Sequence, residues 1–509
     1  MKKHFSLVIL VLALIPFAFL QFHSPQFFLT HDGPFHIERT FNYVNALKEG
    51  NFLPSWTRLY NSDFGSPVFL YLFPLPYWIS SFFYLLGINL VSVLKLDFLF
   101  WQIIAAGGMF LWLKKGMSFP KEASLVGAIF YLYSPINIAQ VFVRGSLREL
   151  AGTALFPFVL YFLKRNVGIS AIVLSAFLLS DGLSVLTFTP ILLAYIAYIK
   201  VSKKIIITFV LSFLIASFIY LPFLFESKFL RGGVTIFTEH LVYWWQYFDP
   251  HWGFGFSVPG TKDSLSFQVG IVNLLAFFSF VFLTLKKKIK LTLLHKLLLA
   301  CLAFYFLLMT YSPVSLFLGR AIPLLALVQL PWRFLIPVSF IFSFLAASLA
   351  YKLNFSKKLV FLLLIATMAI SFRYLRTNQV VVYDQKYLTY NSGDATAYHE
   401  FIPVWRDSTS EFSSFPNKIE VITGEGEVSS LVEKNNSLSF NTSSAGELVL
   451  RINTLYYPGW KAFIDNKEIP ITITSNKFRP VSEKRDISGL MSVSIAPGDH
   501  DVVFRFTDT

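Results

Sequence analysis

Residues 6–22, SLVILVLALIPFAFLQF, are followed by THDGPFHIERT at residues 30–40. Almost pure hydrocarbon gives way to an aspartate, a glutamate, an arginine and two histidines. An apolar run of that length suits a helix crossing a bilayer, whose hydrocarbon core takes about 20 residues. Charges placed just beyond such a run stand at a membrane boundary, where they either cap the next helix or do chemistry.

The same alternation continues along most of the chain. Of 509 residues, 55% are hydrophobic and 14% charged, with a mean hydropathy of +0.59, so most of the chain cannot build a water-soluble surface. The pattern predicts an α-helical multi-pass membrane protein of about 11 spans, near 5–22, 93–113, 122–140, 150–164, 167–181, 183–199, 204–224, 267–285, 297–311, 333–350 and 358–373. From residue 374 onward polar residues return, and short alternating segments such as HDVVFRF predict an extracytoplasmic β-rich, sandwich-like domain. The expected division is thus a polytopic domain over 1–373, with a long first outer loop at 23–92, and a β domain over 374–509.

Charge sets the expected topology. The net charge of +14 is carried in part by clusters at Lys2-Lys3, Lys114-Lys115, Lys164-Arg165, Lys203-Lys204, Lys286-Lys287-Lys288 and Lys357-Lys358. Assigning these clusters to the cytoplasm satisfies the positive-inside rule, and no nucleic-acid partner is needed to explain them. An odd number of crossings then places the N-terminus inside a prokaryotic plasma membrane and the C-terminal domain outside. The acidic residues Asp32, Glu38, Glu49, Asp63, Glu149, Asp181, Glu226, Glu239, Asp249 and Asp263 fall on the outer face under this assignment. MKKH before the first run resembles a signal peptide, but bulky LQFHSPQ offers no small-residue cleavage site and the run reads as a retained span. Segment 67–88 would invert the topology if it crossed, and Pro67, Pro74 and Pro76 interrupt it, so it reads as a re-entrant or interfacial element. The one cysteine, Cys301, excludes an intramolecular disulfide.

Asp32 and His36 lie four residues apart and share a face if the chain turns helical there. Pro34 suits a first turn and Gly50 a C-cap. Asp32 then either caps that helix or serves as a carboxylate base for an attacking hydroxyl. His31 and His36, five apart, fall on different helix faces, so no metal site is assigned; a divalent metal has no positive support and no other cofactor is expected.

In QVFVRGSLREL, residues 140–150, Arg144, Arg148 and Glu149 begin a span. They either pair locally to fix its end or present a guanidinium fork to a phosphate. Arg333 in VQLPWRFLIP poses the same choice, beside Trp332. Asp181 in LLSDGLSVL either caps the following helix or lines a site. The loop YWWQYFDPHWGFGFSVPG, residues 243–260, reads as an interfacial aromatic belt or as a platform for sugar rings. No nucleotide-binding glycine loop, serine-hydrolase elbow or paired CxxC motif is present.

Taken together, THDGPFH, LKEGNFLPSW, GSPVFLYLFPLPYW, RGSLREL, WGFGFSVPG with SFQVG, and LPWRF resemble integral-membrane glycosyltransferases of the GT-C class. Within that class the chain is most similar to prokaryotic membrane proteins labelled as related to 6-pyruvoyl-tetrahydropterin synthase. The C-terminal LYYPGWKAFIDNKEIP and IAPGDHDVVFRF resemble a membrane family implicated in glycosylating lipoteichoic acid. The resemblance implies an inverting enzyme that takes a sugar from a polyprenyl-phosphate donor to a glycan, lipid or protein acceptor at the outer face. It makes Asp32 the general base, His36 its support, and Arg144, Arg148 and Arg333 candidates for the lipid phosphate, with Glu149 and Asp181 as further substrate-binding residues. Two positions depart from the pattern: Ser180-Asp181 replaces a frequent His-Asn, and the first loop has one central carboxylate rather than an acidic pair. The pterin label carries no mechanism, because nine scattered histidines form no zinc cluster.

Two other classes compete. A lipid-linked sugar or polymer transporter would place charges near the bilayer midplane and show repeated halves. An inactive scaffold would use the β domain to bind cell-envelope glycan, with YYPGW either a sugar platform or a core turn.

Overall fold

The computed structural model describes residues 4–233, 236–383, 399–407, 415–478 and 485–507. Its helices are α1 (Phe5–Phe22), α2 (Gly33–Lys48), α3 (Leu75–Leu85), α4 (Leu90–Leu111), α5 (Lys121–Tyr133), α6 (Pro135–Ala139), α7 (Leu147–Phe162) and α8 (Val167–Leu178). They continue with α9 (Gly182–Ile199), α10 (Lys203–Glu226), α11 (Ile271–Leu285), α12 (Leu293–Met309), α13 (Pro313–Ala321), α14 (Pro323–Ala326), α15 (Leu335–Lys352) and α16 (Lys357–Ser371). The chain divides into two compact units: one of residues 1–37, 73–217 and 235–382, the other of 38–72, 218–234 and 383–509.

Every apolar run identified above falls on a helix. Among the described residues, five stretches are long and apolar enough to cross a membrane: Phe5–Phe22, Leu90–Gly116, Gly182–Ile199, Lys203–Phe229 and Pro331–Lys352. A sixth, Lys121–Tyr133 with Pro135–Arg144, is bent by 48°; Pro135 cannot donate the backbone bond that would continue α5. Length and composition therefore account for five or six of the eleven expected crossings, and α8, α11 and α12 are shorter apolar helices. Along α10 the side chains of Ile206, Val210, Leu214, Leu221 and Phe225 are exposed. A contiguous apolar face of that extent is stable against hydrocarbon and not against water. By contrast, 94% of the apolar window containing α15 is buried, and this helix packs against α5, α11 and α12 at the centre of the helical unit. The stretch read as re-entrant forms a 3-10 turn at Val68–Leu70 and the 11-residue α3, about 16 Å long at 1.5 Å per residue and too short to span.

Following the chain through these helices puts Lys114-Lys115, Lys164-Arg165, Lys203-Lys204, Lys286–Lys288 and Lys357-Lys358 at one set of helix ends. Asp32, Arg144, Glu149, Asp181 and Arg333 stand at the opposite set. A short ladder ties down this second end: strand β1 (Phe27–Phe28), just after α1, pairs antiparallel with β2 (Val380–Val381).

The other unit contains most of α2 and a β-sandwich. Its strands are β3 (Ile419–Thr423), β4 (Gly426–Lys434), β5 (Ser437–Ser444), β6 (Leu448–Leu455), β7 (Trp460–Ile464), β8 (Lys467–Ile469), β9 (Thr472–Ile473), β10 (Leu490–Ile495) and β11 (Gly498–Phe506). They form two sheets in the orders β3-β6-β10-β9 and β4-β5-β11-β7-β8, each pairing antiparallel. In HDVVFRF, Val502, Phe504 and Phe506 point inward and meet Leu438, Phe440, Leu450 and Val493, as a period-2 strand buried on one face requires. Trp56, Phe64, Tyr71 and Leu230 complete this core, so segments 38–72 and 218–234 are built into it. Tyr457 and Trp460 of YYPGW are buried there too, with Trp56 edge-on to Trp460 at 5.4 Å. YYPGW is therefore a core turn and not an exposed sugar platform.

Candidate functional site

The DGPFH loop is pinned by main-chain bonds to the end of the bent span. The His31 N–H donates to the Val143 carbonyl at 3.1 Å, and the Asp32 N–H to the Arg144 carbonyl at 2.7 Å. Two glycines permit this approach. A Cβ at Gly145 would lie 2.2 Å from Thr30 Oγ1, and one at Gly33 would lie 2.3 Å from the same atom. Gly145 also adopts φ +62°, the left-handed conformation that ends the turn carrying Arg144 and lets α7 begin two residues later.

That reversal brings Glu149, in the first turn of α7, back onto Arg144. The two form a fork, Nη1 to Oε2 at 2.7 Å and Nη2 to Oε1 at 2.6 Å, with both side chains buried. Arg333 adds a third contact, Nε to Glu149 Oε1 at 3.3 Å, while its Nη1 donates to the Val328 carbonyl and to Gln329 Oε1. The Arg144 guanidinium lies 4.7 Å from the Trp332 ring centroid, and that indole stacks on Phe267 at 5.9 Å. Local pairing is thus what occupies Arg144 and Arg333: the bidentate bond and the aromatic face hold the first, and Glu149 with a carbonyl holds the second.

Asp181 caps α9, accepting from the Ser184 N–H at 2.8 Å and the Ser184 hydroxyl at 3.0 Å. It is held near Glu149 because Gly152 lets α7 pack closely on Ser184, which a Cβ would meet at 2.4 Å. Arg148, half-buried, makes no hydrogen bond or ion pair among the described residues, yet its charge acts on both Asp181 and Glu149. Asp32, Glu149 and Asp181 all act electrostatically on Arg144 and Arg333. The structure therefore gathers Asp32, Arg144, Arg148, Glu149, Asp181 and Arg333 into one cluster of three carboxylates and three guanidiniums.

Asp32 is the exception among the carboxylates. No first-turn N–H of α2 donates to its carboxylate as a helix cap would require; the Gly33 N–H donates to Thr30 Oγ1 at 3.1 Å, and the half-buried Asp32 carboxylate has no hydrogen-bond partner among the described residues. His36 stands one turn further along α2. Its N–H donates to the Asp32 carbonyl at 3.0 Å, and its Nδ1 is 3.0 Å from the Tyr77 hydroxyl. The ring is buried, so it supports the loop from behind.

The sequence reading missed the role of His31. Its Nε2–H donates to the Phe254 carbonyl at 2.9 Å, and its ring stacks on the exposed Phe256 at 4.2 Å. Burial holds the His31 imidazole below its ordinary pKa, against the opposing pull of the Phe254 carbonyl and the Asp32 charge. A neutral ring donating from Nε2 fits that environment. The aromatic loop 243–260 is thereby fastened to the DGPFH loop. Asp263 fastens its other side, accepting from Gln246 Nε2 at 2.9 Å, the Ser257 hydroxyl at 3.0 Å and the Val258 N–H at 2.9 Å. Glycines at 253 and 255, whose added Cβ atoms would strike Ser264, were the available signal that this loop folds back tightly. With His31 and His36 facing different partners, no group of three His, Cys, Asp or Glu side chains among the described residues could hold a metal ion.

No protein-family description matches the chain, and no curated protein matches it. One solved structure to which it is similar is the oligosaccharyltransferase of Archaeoglobus fulgidus in complex with zinc and sulfate. The two are 16% identical with a TM-score of 0.40, over 80% of this chain and 59% of that one; this chain thus spans less than two thirds of that protein's length.

Proposed function

We propose that the protein is a GT-C type membrane glycosyltransferase that moves a sugar from a polyprenyl-phosphate donor to an acceptor hydroxyl or amide at the extracytoplasmic face. The observation that carries this reading is the Asp32 carboxylate, half-buried and unbonded among the described residues, on a loop fixed by two main-chain bonds inside the field of Arg144 and Arg333. A carboxylate held rigidly without a partner is poised to accept a proton.

In this reading the acceptor oxygen or nitrogen attacks the anomeric carbon from the face opposite the phosphate. The bond from that carbon to the phosphate oxygen breaks, the configuration inverts, Asp32 takes the acceptor's proton, and polyprenyl phosphate departs as an anion. Arg148, whose guanidinium is unbonded among the described residues, takes the phosphate. Arg144 and Arg333, already gripping Glu149, contribute fixed positive charge that costs no reorganisation when the leaving group develops its own. Asp181 and Glu149 hold the arginines in register, and His36 sets the turn that presents Asp32. Midplane charge would favour a transporter, and the cluster instead stands at helix ends.

The test is release of polyprenyl phosphate from a panel of polyprenyl-phosphate sugars by protein in lipid nanodiscs, with candidate acceptors present. Asp32→Asn, which keeps the shape and removes the base, is expected to lower the rate by about 10²–10⁴-fold while size-exclusion behaviour stays unchanged. Full activity in the variant would remove Asp32 from the chemistry.

A further inference from the structure

The aromatic loop 243–260 divides in two. At its start Trp244, Trp245 and Phe248 are exposed. Trp245 packs on Tyr243 at 4.8 Å, and Tyr243 stacks on Tyr311 at 4.8 Å. Tyr311 lies just past α12, in line with exposed Phe304 and Leu307. These rings prolong an apolar helix face, as an interfacial belt does.

Phe256 is placed differently. Trp252 packs on Tyr374 at 5.1 Å, and the Arg376 guanidinium lies 5.6 Å from the Phe254 ring, but the Phe256 ring is 65% exposed. One of its faces lies on His31, the residue immediately before Asp32. Polar groups hold the main chain on both sides of it. The Phe254 carbonyl accepts from His31, and the Gly255 N–H donates to Ser264 Oγ at 3.2 Å. The Ser257 hydroxyl and the Val258 N–H donate to Asp263, and His240 Nδ1 is 2.9 Å from the same hydroxyl. The ring is thus fixed in a polar setting, where a partner that covers it meets a surface already ordered.

We propose that the acceptor is a carbohydrate, one pyranose ring of which stacks on Phe256 and turns a hydroxyl toward Asp32. The inference rests on the reading of Asp32 as the base. A pyranose joins an apolar C–H face, which the negative face of an aromatic ring attracts, to a rim of hydroxyls. An exposed phenyl ring next to a carboxylate unbonded among the described residues answers both. A hydrocarbon chain has no use for the carboxylate. An extended peptide draws affinity from main-chain pairing, and here the N–H groups of His31, Asp32, Gly33, Gly255 and Val258 are already engaged within the fold. The attacking atom is then a sugar oxygen. Its proton passes to Asp32 as the new glycosidic bond forms and the bond from the anomeric carbon to the phosphate breaks.

The experiment is saturation-transfer difference NMR on the full chain in lipid nanodiscs, without donor, using the methyl α- and β-pyranosides of glucose, galactose, mannose and N-acetylglucosamine. At least one is expected to receive saturation on its ring C–H protons in wild type. Its affinity should be about tenfold weaker in Phe256→Ala and kept in Phe256→Trp. The side chain is exposed, so both variants are expected to melt as wild type does. Absence of transfer to every pyranoside, or equal affinity in Phe256→Ala, overturns the proposal. So does Phe256-dependent binding of a serine- or asparagine-containing peptide in place of the sugars, which would make the acceptor a protein. Neither donor nor turnover is needed, so loss of pyranoside binding and loss of Asp32-dependent polyprenyl phosphate release are separate failures.

Discussion

The two ends of the helical unit use positive charge in opposite ways. At one end lysines dominate, on exposed turns such as Lys286–Lys288 and Lys357-Lys358, where their ammonium groups are open to solvation. At the other end arginines take over, and Arg144 and Arg333 are drawn inside against Glu149, Trp332 and main-chain carbonyls. Compact, strongly hydrated ammonium groups suit the first task, and planar guanidiniums with several donors suit the second. The lesson is that a count of basic residues near a span reports topology at one end and site architecture at the other; burial and pairing tell them apart.

The difference can be broken most severely at Glu149. Glu149→Gln leaves two buried guanidiniums without their shared countercharge, and loss of one partner of a buried pair costs about 3–5 kcal/mol. A large fall in the thermal midpoint of the purified protein is expected, with partial rescue by adding Arg144→Met. A smaller effect, on binding alone, is expected from Arg148→Ala. Removing one charge-assisted phosphate contact of about 1.5–3 kcal/mol should raise the KM for donor about 10–100-fold with an unchanged melting temperature. Arg148→Lys should recover part of that loss, and an unchanged KM in Arg148→Ala would exclude the phosphate role.

Gly145→Ala tests the hinge that joins the DGPFH loop to Arg144. A side chain in the left-handed region costs about 1–2 kcal/mol, and the Cβ would also collide with Thr30. Both stability and transfer should fall, whereas Gly87→Ala, also at positive φ but with open space around it, should lower stability alone. The smallest effect belongs to the lysine end: Lys114→Gln with Lys115→Gln should change stability by less than about 0.5 kcal/mol and leave donor release intact. A loss of activity there would erase the contrast between the two ends.

Much of the helical architecture was legible because hydrocarbon runs and lysine clusters are local signals. The cluster was legible for the same reason: DGPFH, RGSLREL, the Asp181 turn and LPWRF each set charges at a helix end, and helix ends on one side must converge. The division of labour among the arginines was not legible. Local Arg–Glu pairing was one of two open readings, but the left-handed glycine between Arg144 and Glu149 breaks helix spacing, so the sequence did not say that Arg144 rather than Arg148 would take the carboxylate. The indole and the second arginine arrive from residues 332 and 333. The attachment of the aromatic loop to His31 was likewise hidden, since its bond goes to a main-chain carbonyl 223 residues away. Nor could periodicity show that Asp97 and Lys95 of α4 are buried, with Asp97 accepting from the Ser80 hydroxyl and Lys95 donating to the Ser24 carbonyl; both sit within an otherwise apolar run.

The sandwich core draws Trp56, Phe64 and Tyr71 from the first loop and Leu230 from the stretch after α10, and this has a temporal consequence. During synthesis those aromatic side chains emerge hundreds of residues before the strands that will cover them. They must wait, exposed, until the last quarter of the polypeptide has been made and delivered to the same side. Contacts of such sequence separation form slowly and leave early segments open to aggregation or proteolysis. Completion of the sandwich is thus a late checkpoint on biogenesis, and a chain truncated before β3 would leave its first loop without a core to join.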